Sequence, residues 1–464
     1  MNDLHNIRAK AGAVTFRSDD DALNEGFAWA KRQALSYAHF GEDAVGLWYE
    51  AALPAREAFC MRDVMHHSAG AAVLGLSPHT KNMIRRFAEN IAESRDWCTF
   101  WEITKDNLPA AVDYDNDQDF WYNLPANFDL IETAWRQFLW TGDRDYIEDA
   151  VLRRFYDLTL TEYVDKWDRD KDGILEYYPE YGRRGLASYN EAGQHPLAGG
   201  DMVGVQIAAY RAAARMAELT GNPHASSTYA AKAHTLEQVY GSSWWNENRQ
   251  RFYGMMLQDR SFADPYCAEG NFLPLYYGAV TRSDQLQKAL KDLEANGAPN
   301  VEGKTYLPDI YYRYGLPQQA FGELKELVNP ALERREYPEV SFCVVGAIAT
   351  GMMGIAADGT RTICTLPQLG DSLTWAEIED LPVLGRTIQV RHERAGETSL
   401  TLQEGQPFSW KAMFQGNAGS FYHNGERIAP RTEITADGRE IAFVTITVEQ
   451  GETHRIFCKD AKGQ

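Results

Sequence analysis

The chain has 464 residues, of which 44% are hydrophobic and 24% charged, so it has the composition of a globular protein that can bury a sizeable core. A formal net charge of −20, spread along the whole chain, repels phosphate backbones and argues against nucleic acid as a partner. The six cysteines include no C-x-x-C pair and the first residues lack the apolar run of a secretory signal, so we expect a cytoplasmic protein with free thiols and no zinc site.

Helical periodicity begins near Asn24 and continues through twelve segments to Ala357. Several segments meet at short joints that share one pattern, a glycine followed by a helix-starting residue, at Gly75, Gly142, Gly221 and Gly315. Segments that enter these joints are apolar and rich in small residues, whereas segments that leave them carry charges on one face. This difference predicts an inner and an outer ring of helices, that is, a mainly α fold in which six hairpins form an (α/α)6 toroid.

The last apolar segment, Val340–Ala357, is just long enough to be considered as a membrane span. It lies between E-Y-P-E and D-G-T-R, has no flanking basic and aromatic anchors, and is rich in glycine and alanine. These features favour a helix packed on all sides inside a protein, so we expect no membrane partner.

Long connections lead from each outer helix back to the next inner helix, and they hold most of the aromatic and acidic residues that have no evident core role. In a toroid these loops emerge at one end, and long loops in a compact domain usually carry function. The architecture therefore predicts a site at that end. The connections are Phe40–Met61, Thr99–Asn127, Asp168–Gly200, Gly241–Ala268, Asn296–Thr305 and Asn329–Glu339.

The third of these loops combines two patterns. Asp168, Asp170 and Asp172, followed by glycine, match the first half of an EF-hand loop, but position twelve is Pro179. Asp-rich turns are also common at helix ends, so we expect no cofactor, with Ca²⁺ at these aspartates as the alternative. Further along, glutamates alternate with tyrosines, which suits a sugar because rings stack on C–H surfaces while acids bind or protonate oxygens. These glutamates are Glu176, Glu180 and Glu191.

Other loops add further candidates. Arg62 and Asp63 begin the first inner segment, and Glu339 precedes the most apolar one. A carboxylate at the mouth of an apolar barrel is costly unless it is paired or used, so Glu339 is the best candidate for a functional base, although capping of the helix N-terminus also suits a glutamate. The second loop offers Glu102 and Trp121, and the fourth offers Trp245 and Glu269.

After Gly359 the hydrophobic pattern changes to a period of two, with segments such as TIQVRHE, SLTLQE and IAFVTITVE separated by turn residues. This pattern predicts a small C-terminal β-sandwich that packs on the barrel. We therefore expect an N-terminal extension at 1–20, a catalytic barrel at 21–357 and the accessory β-sandwich at 358–464.

Five stretches of the sequence carry a resemblance to a known family: FRSDDDALNEGFAWAKRQA, the R-D of AFCMRDVMHHSAGA, DKDGILEYYPEYGRRGLASYNEAG, REYPEV, and the tail LGDSLTWAEIEDLPVLGRTIQVRHE. With them the arrangement resembles the six-hairpin (α/α)6-barrel glycoside hydrolases, which include the α-L-rhamnosidases of family 78 and the α-glucosidases of family 63. The D-E-R-x-G-W-x-G-D context of the rhamnosidase acid is absent, which leaves the sugar open.

The resemblance implies exo-acting, inverting hydrolysis of a small glycoside or oligosaccharide, with two carboxyl groups about 6.5–9.5 Å apart. It assigns Glu191 as the acid, with Glu180 or Asp201 as substitutes, and Glu339 as the base. By the same likeness the substrate-binding residues are Arg62, Asp63, Glu102, Trp121, Trp245 and Glu269.

Two other functions fit the same barrel. A sugar epimerase or isomerase would transfer protons through His66 or His195, although the predicted C-terminal sheet argues against it. A carbohydrate-binding protein without catalysis would result if the carboxylates of the third and sixth loops do not face each other.

Overall fold

The computed structural model describes residues 2–53, 56–178, 184–192, 195–371, 373–416 and 419–459. Each of the twelve predicted segments contains at least one helix, whereas the N-terminal helix and a short helix at 301–304 were not predicted. The helices are α1 (Asn2–Lys10), α2 (Asp21–Ser36), α3 (Met61–Val73), α4 (Ser77–Glu89), α5 (Pro125–Thr141), α6 (Asp145–Glu148), α7 (Ala150–Leu158), α8 (Val164–Trp167), α9 (Gly200–Leu219), α10 (Pro223–Ser243), α11 (Glu269–Tyr276), α12 (Ser283–Asn296), α13 (Val301–Lys304), α14 (Leu307–Arg313), α15 (Pro317–Leu327) and α16 (Pro338–Gly346).

Helix contacts close into a ring within the described residues. Each helix in the series α3, α5, α9, α11 and α14 contacts the next one. Helix α14 then contacts the π-helical turn Ala347–Met352, which continues α16, and α16 contacts α3, which closes the ring. Outside this ring, α2 packs on α16, α4 on α3, α10 on α9, α12 on α11 and α15 on α14. The apolar segments with small residues are therefore the ones whose helices contact one another in this series.

Small residues are needed where inner helices approach closely. A Cβ atom at Gly70 of α3 would lie 2.0 Å from the carbonyl oxygen of Phe342 in α16, and one at Gly204 of α9 would lie 2.9 Å from the Cα atom of Pro274 in α11. Contacts this short exclude any side chain at either position.

The glycine joints have the predicted conformation. Gly75, Gly142, Gly221 and Gly315 have φ values of 76°, 71°, 73° and 67°, in the left-handed region that ends helices. The chain therefore reverses within two or three residues, which keeps each outer helix next to the inner helix that precedes it.

The connections at the N-terminal ends of the inner helices contain short strands rather than purely irregular chain. Most of these strands form two-stranded ribbons, and β7 pairs in parallel with β8. The strands of this region are β1 (Thr15–Ser18), β2 (Ala38–Phe40), β3 (Leu47–Tyr49), β4 (Ala58–Cys60), β5 (Glu102–Thr104), β6 (Tyr114–Asn116), β7 (Asp119–Asn123), β8 (Arg184–Leu186), β9 (Ala198–Gly199), β10 (Trp245–Asn246), β11 (Arg251–Phe252) and β12 (Met255–Met256).

The C-terminal region is rich in sheet, as predicted. One sheet has the order β13-β14-β18-β22-β21 and the other β1-β15-β16-β17-β23-β19-β20, so a strand from the N-terminal extension completes the second sheet. The strands are β13 (Ala356–Ala357), β14 (Thr362–Thr365), β15 (Trp375–Val383), β16 (Arg386–Glu393), β17 (Glu397–Glu404), β18 (Phe408–Gln415), β19 (Ser420–His423), β20 (Glu426–Ile428), β21 (Arg431–Ile434), β22 (Glu440–Val448) and β23 (Thr453–Lys459).

The two sheets meet through their buried faces. Buried residues alternate along β16, β17 and β18, which leaves one face of each strand toward the interior. Phe414 of β18 and Phe421 of β19 come from different sheets and pack edge to face, with ring centroids 5.3 Å apart. Phe16 of β1 is paired with Ile378 of β15, and both are buried.

The apolar run Val340–Ala357 forms most of α16, the π-helical turn and β13, and most of its side chains are buried in the protein. Among the described helices, none is both long and apolar enough to cross a membrane. Cys60, Cys267, Cys343 and Cys364 are free thiols.

Candidate active site

Carboxylates occupy the first turns of several helices around one end of the ring. Asp63 is in the first turn of α3, Glu269 in that of α11, Glu302 in that of α13 and Glu339 in that of α16. Helix N-termini favour negative charge, which partly offsets the repulsion among these groups. These carboxyl groups interact electrostatically. Burial raises the pKa of Asp63, Glu269 and Glu339, and the negative charge of Glu302 raises each of them further.

Glu339 is a buried carboxyl group with an unsatisfied oxygen atom. It is 7% exposed, and its Oε1 atom has no hydrogen-bond partner among the described residues. Burial, with a smaller contribution from Asp63, raises the pKa of Glu339 to about 8, although Arg334 acts in the opposite direction. The side chain is therefore mostly protonated at neutral pH.

Asp63 interacts electrostatically both with Glu339 and with Glu191 of the third loop. Burial raises its pKa to about 7 against the opposing charge of Arg62, and Glu302, Glu102 and Glu191 raise it further. Asp63 is thus a common neighbour of Glu191 and Glu339, the two residues that the sequence assigned to catalysis.

Glu191 differs from Glu339 in its surroundings. It is exposed in the loop after β8, and its Oε1 accepts a hydrogen bond of 2.7 Å from Asn123 Nδ2 at the end of β7. The parallel pairing of Asn123 with Leu186 holds these two loops together. Its exposure leaves this carboxylate accessible to water.

Arg62 is the cation at the centre of the cluster. Its guanidinium lies 5.1 Å from the Tyr189 ring centroid, and Nη1 donates to the Tyr189 carbonyl oxygen at 3.4 Å. Nη2 is 3.9 Å from Glu269 Oε1 and has no hydrogen-bond partner in the described part of the chain. This free donor suits a ligand oxygen between Arg62 and Glu269, because arginine hydrogen bonds to oxygen acceptors are strong and directional.

Two comparisons with known proteins bear on this cluster. Residues 176–303 match the family model described as the mannosylglycerate hydrolase MGH1-like glycoside hydrolase domain. This part of the chain is therefore similar to a glycoside hydrolase domain. The matched range includes Glu191, Glu269 and Glu302, whereas Asp63 and Glu339 lie outside it. No curated protein matches the chain.

Solved structures of glycosidases share the fold. A family GH78 rhamnosidase of Bacillus sp. GL1 is 14% identical with a TM-score of 0.63, over 85% of this chain and 41% of the rhamnosidase. An α-L-rhamnosidase from Dictyoglumus thermophilum is 12% identical with a TM-score of 0.64, over 96% of this chain and 50% of the other. The chain thus spans half or less of the length of these two enzymes. The expected resemblance to the six-hairpin glycosidases is confirmed.

The remaining predicted substrate-binding residues lie in different places. Glu102 is 3% exposed and pairs with Arg56 at 2.8 Å, so its charge is already neutralised at the edge of the cluster. Trp121 is half-buried on β7, two residues before Asn123. Trp245 of β10 contacts Glu247, Phe252 and Lys288, and none of these residues belongs to the carboxylate cluster. The roles of all three in substrate binding stay predictions.

The two substitute acids have different outcomes. Glu180 lies outside the described residues. Asp201 is fully buried, and its carboxylate accepts hydrogen bonds from Tyr189 N at 2.5 Å and Ser188 Oγ at 2.9 Å. Asp201 therefore holds the loop that carries Tyr189 and Glu191, and its oxygens are already used.

Glu302 and Tyr306 were missed by sequence reasoning. Arg334 pairs with Glu302 at 2.8 Å, and the ring of Tyr306 stacks on His66 with centroids 3.6 Å apart. The available signal for Glu302 was its position: it begins a helical turn, as Asp63, Glu269 and Glu339 do.

The predicted ion-binding aspartates do converge. Ligand atoms of Asp168, Asp170 and Asp172 lie within 4.8 Å of one another, and Asp168 Oδ1 has no hydrogen-bond partner among the described residues. However, Arg260 pairs with Asp170 at 2.5 Å and with Glu176 at 2.6 Å. An arginine therefore already supplies positive charge here, and Ca²⁺ at this cluster stays a prediction.

Proposed function

We propose that the chain is an exo-acting, inverting glycoside hydrolase built on an (α/α)6 toroid, and that the carboxylate cluster cleaves a terminal sugar from a small glycoside or oligosaccharide, as in the α-L-rhamnosidases. The observation that carries this proposal is the contrast between Glu339, buried with a pKa of about 8, and the exposed Glu191, with Asp63 as their common neighbour. A carboxyl group that burial keeps protonated can act as an acid together with a second carboxyl group that faces water.

The physical surroundings favour the reverse of the roles that the sequence resemblance implies. In the free protein Glu339 holds a proton at neutral pH, so we assign it as the donor to the leaving oxygen. Glu191 then takes a proton from the attacking water. The water oxygen bonds to the anomeric carbon while the glycosidic bond breaks, and the leaving group departs with the proton from Glu339.

An inverting outcome requires room for water between the two carboxyl groups, about 6.5–9.5 Å. Asp63 perturbs Glu339 and is perturbed by Glu191, which supports an arrangement in which another group separates the pair. With Arg62 beside it, Asp63 is suited to binding the hydroxyls of the sugar.

An exo mode is supported by the interior of the ring below the cluster. One turn beyond Asp63, His66 donates to or accepts from Thr305 Oγ1 at 2.9 Å and stacks on Tyr306. His67 stacks on Phe342 with ring centroids 5.2 Å apart. These side chains fill the interior of the ring beneath the carboxylate cluster. A site that is closed on this side can bind the end of a carbohydrate chain but not its middle.

The test uses a panel of aryl glycosides that differ in the sugar and in the leaving group. We expect the wild-type protein to release free sugar from at least one of them, and Glu339→Gln and Glu191→Gln to lower kcat roughly 10²–10⁴-fold with a poor leaving group. Because a dinitrophenolate leaves without protonation, Glu339→Gln should retain most of its activity on the dinitrophenyl glycoside, whereas Glu191→Gln should not. Glu336→Gln, an exposed neighbour, is the control.

Each part of the proposal has its own failing result. No sugar release from any glycoside would reject the hydrolase, and conversion of free sugars to their epimers would favour the isomerase instead. If only Glu191→Gln is rescued by the activated leaving group, then the roles return to those implied by the resemblance. Proton NMR of the anomer formed first decides between inversion and retention.

A further inference from the structure

A second cavity, of about 450 Å³, lies at the other end of the helical ring from the carboxylate cluster. It is bounded by the last two turns of α3, the C-terminal half of α5, the end of α14, and residues of β13, β14 and β18. Small-molecule sites typically have volumes of about 300–1,000 Å³. None of Arg62, Asp63, Glu191, Glu269 and Glu339 lines this cavity.

Three buried side chains line the cavity with polar atoms that lack a partner among the described residues. Gln137, 2% exposed, donates from Nε2 to the Ser68 carbonyl oxygen at 3.0 Å, and Gln368, 8% exposed, donates to the Gly351 carbonyl oxygen at 2.9 Å. Each glutamine therefore keeps Oε1 as a free acceptor, and Tyr312, 3% exposed, keeps a free hydroxyl. Buried polar groups are rarely left without partners, so these atoms indicate a missing ligand or water.

The charges around the cavity are largely paired. Arg136 Nε is 2.6 Å from Glu132 Oε2, and Arg439 Nε is 2.6 Å from Asp437 Oδ2, while Arg439 Nη1 keeps a donor without a partner among the described residues. Asp309 has two arginines, Arg136 and Arg313, as its opposing charges. Because the charged side chains around the cavity largely balance one another, an anion or a cation bound there would lack a partner of opposite charge, and burying it would be unfavourable.

We propose that this cavity is a binding site for a neutral polyol of monosaccharide size. Hydroxyl groups both donate and accept, so they can satisfy the two glutamine oxygens and the Tyr312 hydroxyl together. The remaining wall includes Trp140, Ile355 and Leu366, which suit the C–H faces of a sugar ring. A purely apolar ligand would leave all three polar atoms without partners.

The proposal does not depend on hydrolysis at the carboxylate cluster. Two sources could supply the same chemistry, a free monosaccharide or the terminal residue of a longer glycan. Both are therefore tested by isothermal titration of the full chain with free monosaccharides, with their methyl glycosides and with a glycan that ends in the sugar that binds.

The decisive variants are Tyr312→Phe, which removes the free hydroxyl, and Gln137→Leu, which removes the free Oε1 together with the Nε2 that donates to the Ser68 carbonyl oxygen. We expect each to weaken monosaccharide binding about 10-fold, as for one lost hydrogen bond. Tyr314→Phe is the matched control, because its hydroxyl donates to Leu275 outside the cavity. Glu339→Gln should leave this binding event unchanged, which separates it from binding at the carboxylate cluster.

Two results would overturn the proposal. One is the absence of any titratable sugar binding, which would mean that water alone fills the cavity. The other is sugar binding that disappears in Glu339→Gln and persists in Tyr312→Phe, which would place it at the carboxylate cluster. Circular dichroism of Tyr312→Phe and Gln137→Leu, with the far-UV spectrum of the wild type and a cooperative unfolding transition, confirms that neither result reflects misfolding.

Discussion

Replacing Glu339 with glutamine should change the pH dependence of stability in a way that is independent of any catalytic activity. The glutamine keeps the size and polarity of the side chain but cannot ionise. In the folded protein the pKa of Glu339 is raised from its ordinary 4.5 to about 8, mainly by burial and then by Asp63. Folding therefore favours the protonated carboxyl.

The sign follows from the raised pKa. The stabilisation associated with Glu339 is fully present below pH 4.5, the ordinary value, and is lost as pH rises through about 8. One pKa unit corresponds to about 1.4 kcal/mol, so the wild type should lose roughly 2–4 kcal/mol relative to Glu339→Gln between about pH 5 and pH 8. For a chain of this length that unfolds as one unit, this is about 1 °C of Tm per kcal/mol.

The assay is thermal unfolding of wild type, Glu339→Gln and Glu336→Gln across this pH range. We expect nearly equal Tm values for all three near pH 5. Near pH 8, Glu339→Gln should melt about 2–4 °C above the wild type, whereas Glu336→Gln should not. A constant Tm difference between Glu339→Gln and wild type at every pH would show that the carboxyl is ionised in the fold and would refute the reasoning.

Two further predictions concern the loops around the cluster. Asp201→Asn should lower the free energy of unfolding by about 1–3 kcal/mol, because one of the buried donors from Tyr189 and Ser188 then faces an amide N–H₂ group. Thermal unfolding measures the loss, and Asp284→Asn, at an exposed aspartate in the first turn of a helix, is the control. Equal losses in the two variants would contradict the prediction. Ca²⁺ should leave the Tm of the wild type unchanged, because Arg260 already pairs with Asp170, whereas the Tm of Arg260→Gln should rise when Ca²⁺ is added. A Tm rise of equal size in both proteins would contradict the idea that Arg260 competes with Ca²⁺.

Much of the fold could be predicted because its signals are local. Helical periodicity and the glycine joints depend on neighbouring residues, and the φ values at Gly142 and Gly221 agree with the expected helix ends. Strand β1 could not be predicted in the same way. Its four residues pair with β15, which lies more than 350 residues further along the chain, and only that partner gives them an ordered position.

The candidate site was predictable in its residue types but not in its arrangement. Asp63 and Glu339 were found because an acidic residue before an apolar helix is conspicuous. Asp201 could not be separated from a candidate acid, since its two donors come from residues twelve and thirteen positions earlier in a folded loop. Likewise, the sequence gives no sign that Arg260 reaches Asp170.

The sequence by itself determined the helical segments, their reversals, the sheet-rich C-terminal region and the likeness to six-hairpin glycosidases, because these follow from periodicity and short motifs. Only the tertiary structure decided which of the two candidate carboxyl groups is buried. Glu339 and Glu191 have nearly the same chemistry in isolation, and they differ because one is enclosed by the ends of packed helices while the other faces solvent. Burial and neighbouring charge, which set the pKa of a carboxyl group, are properties of the assembled fold.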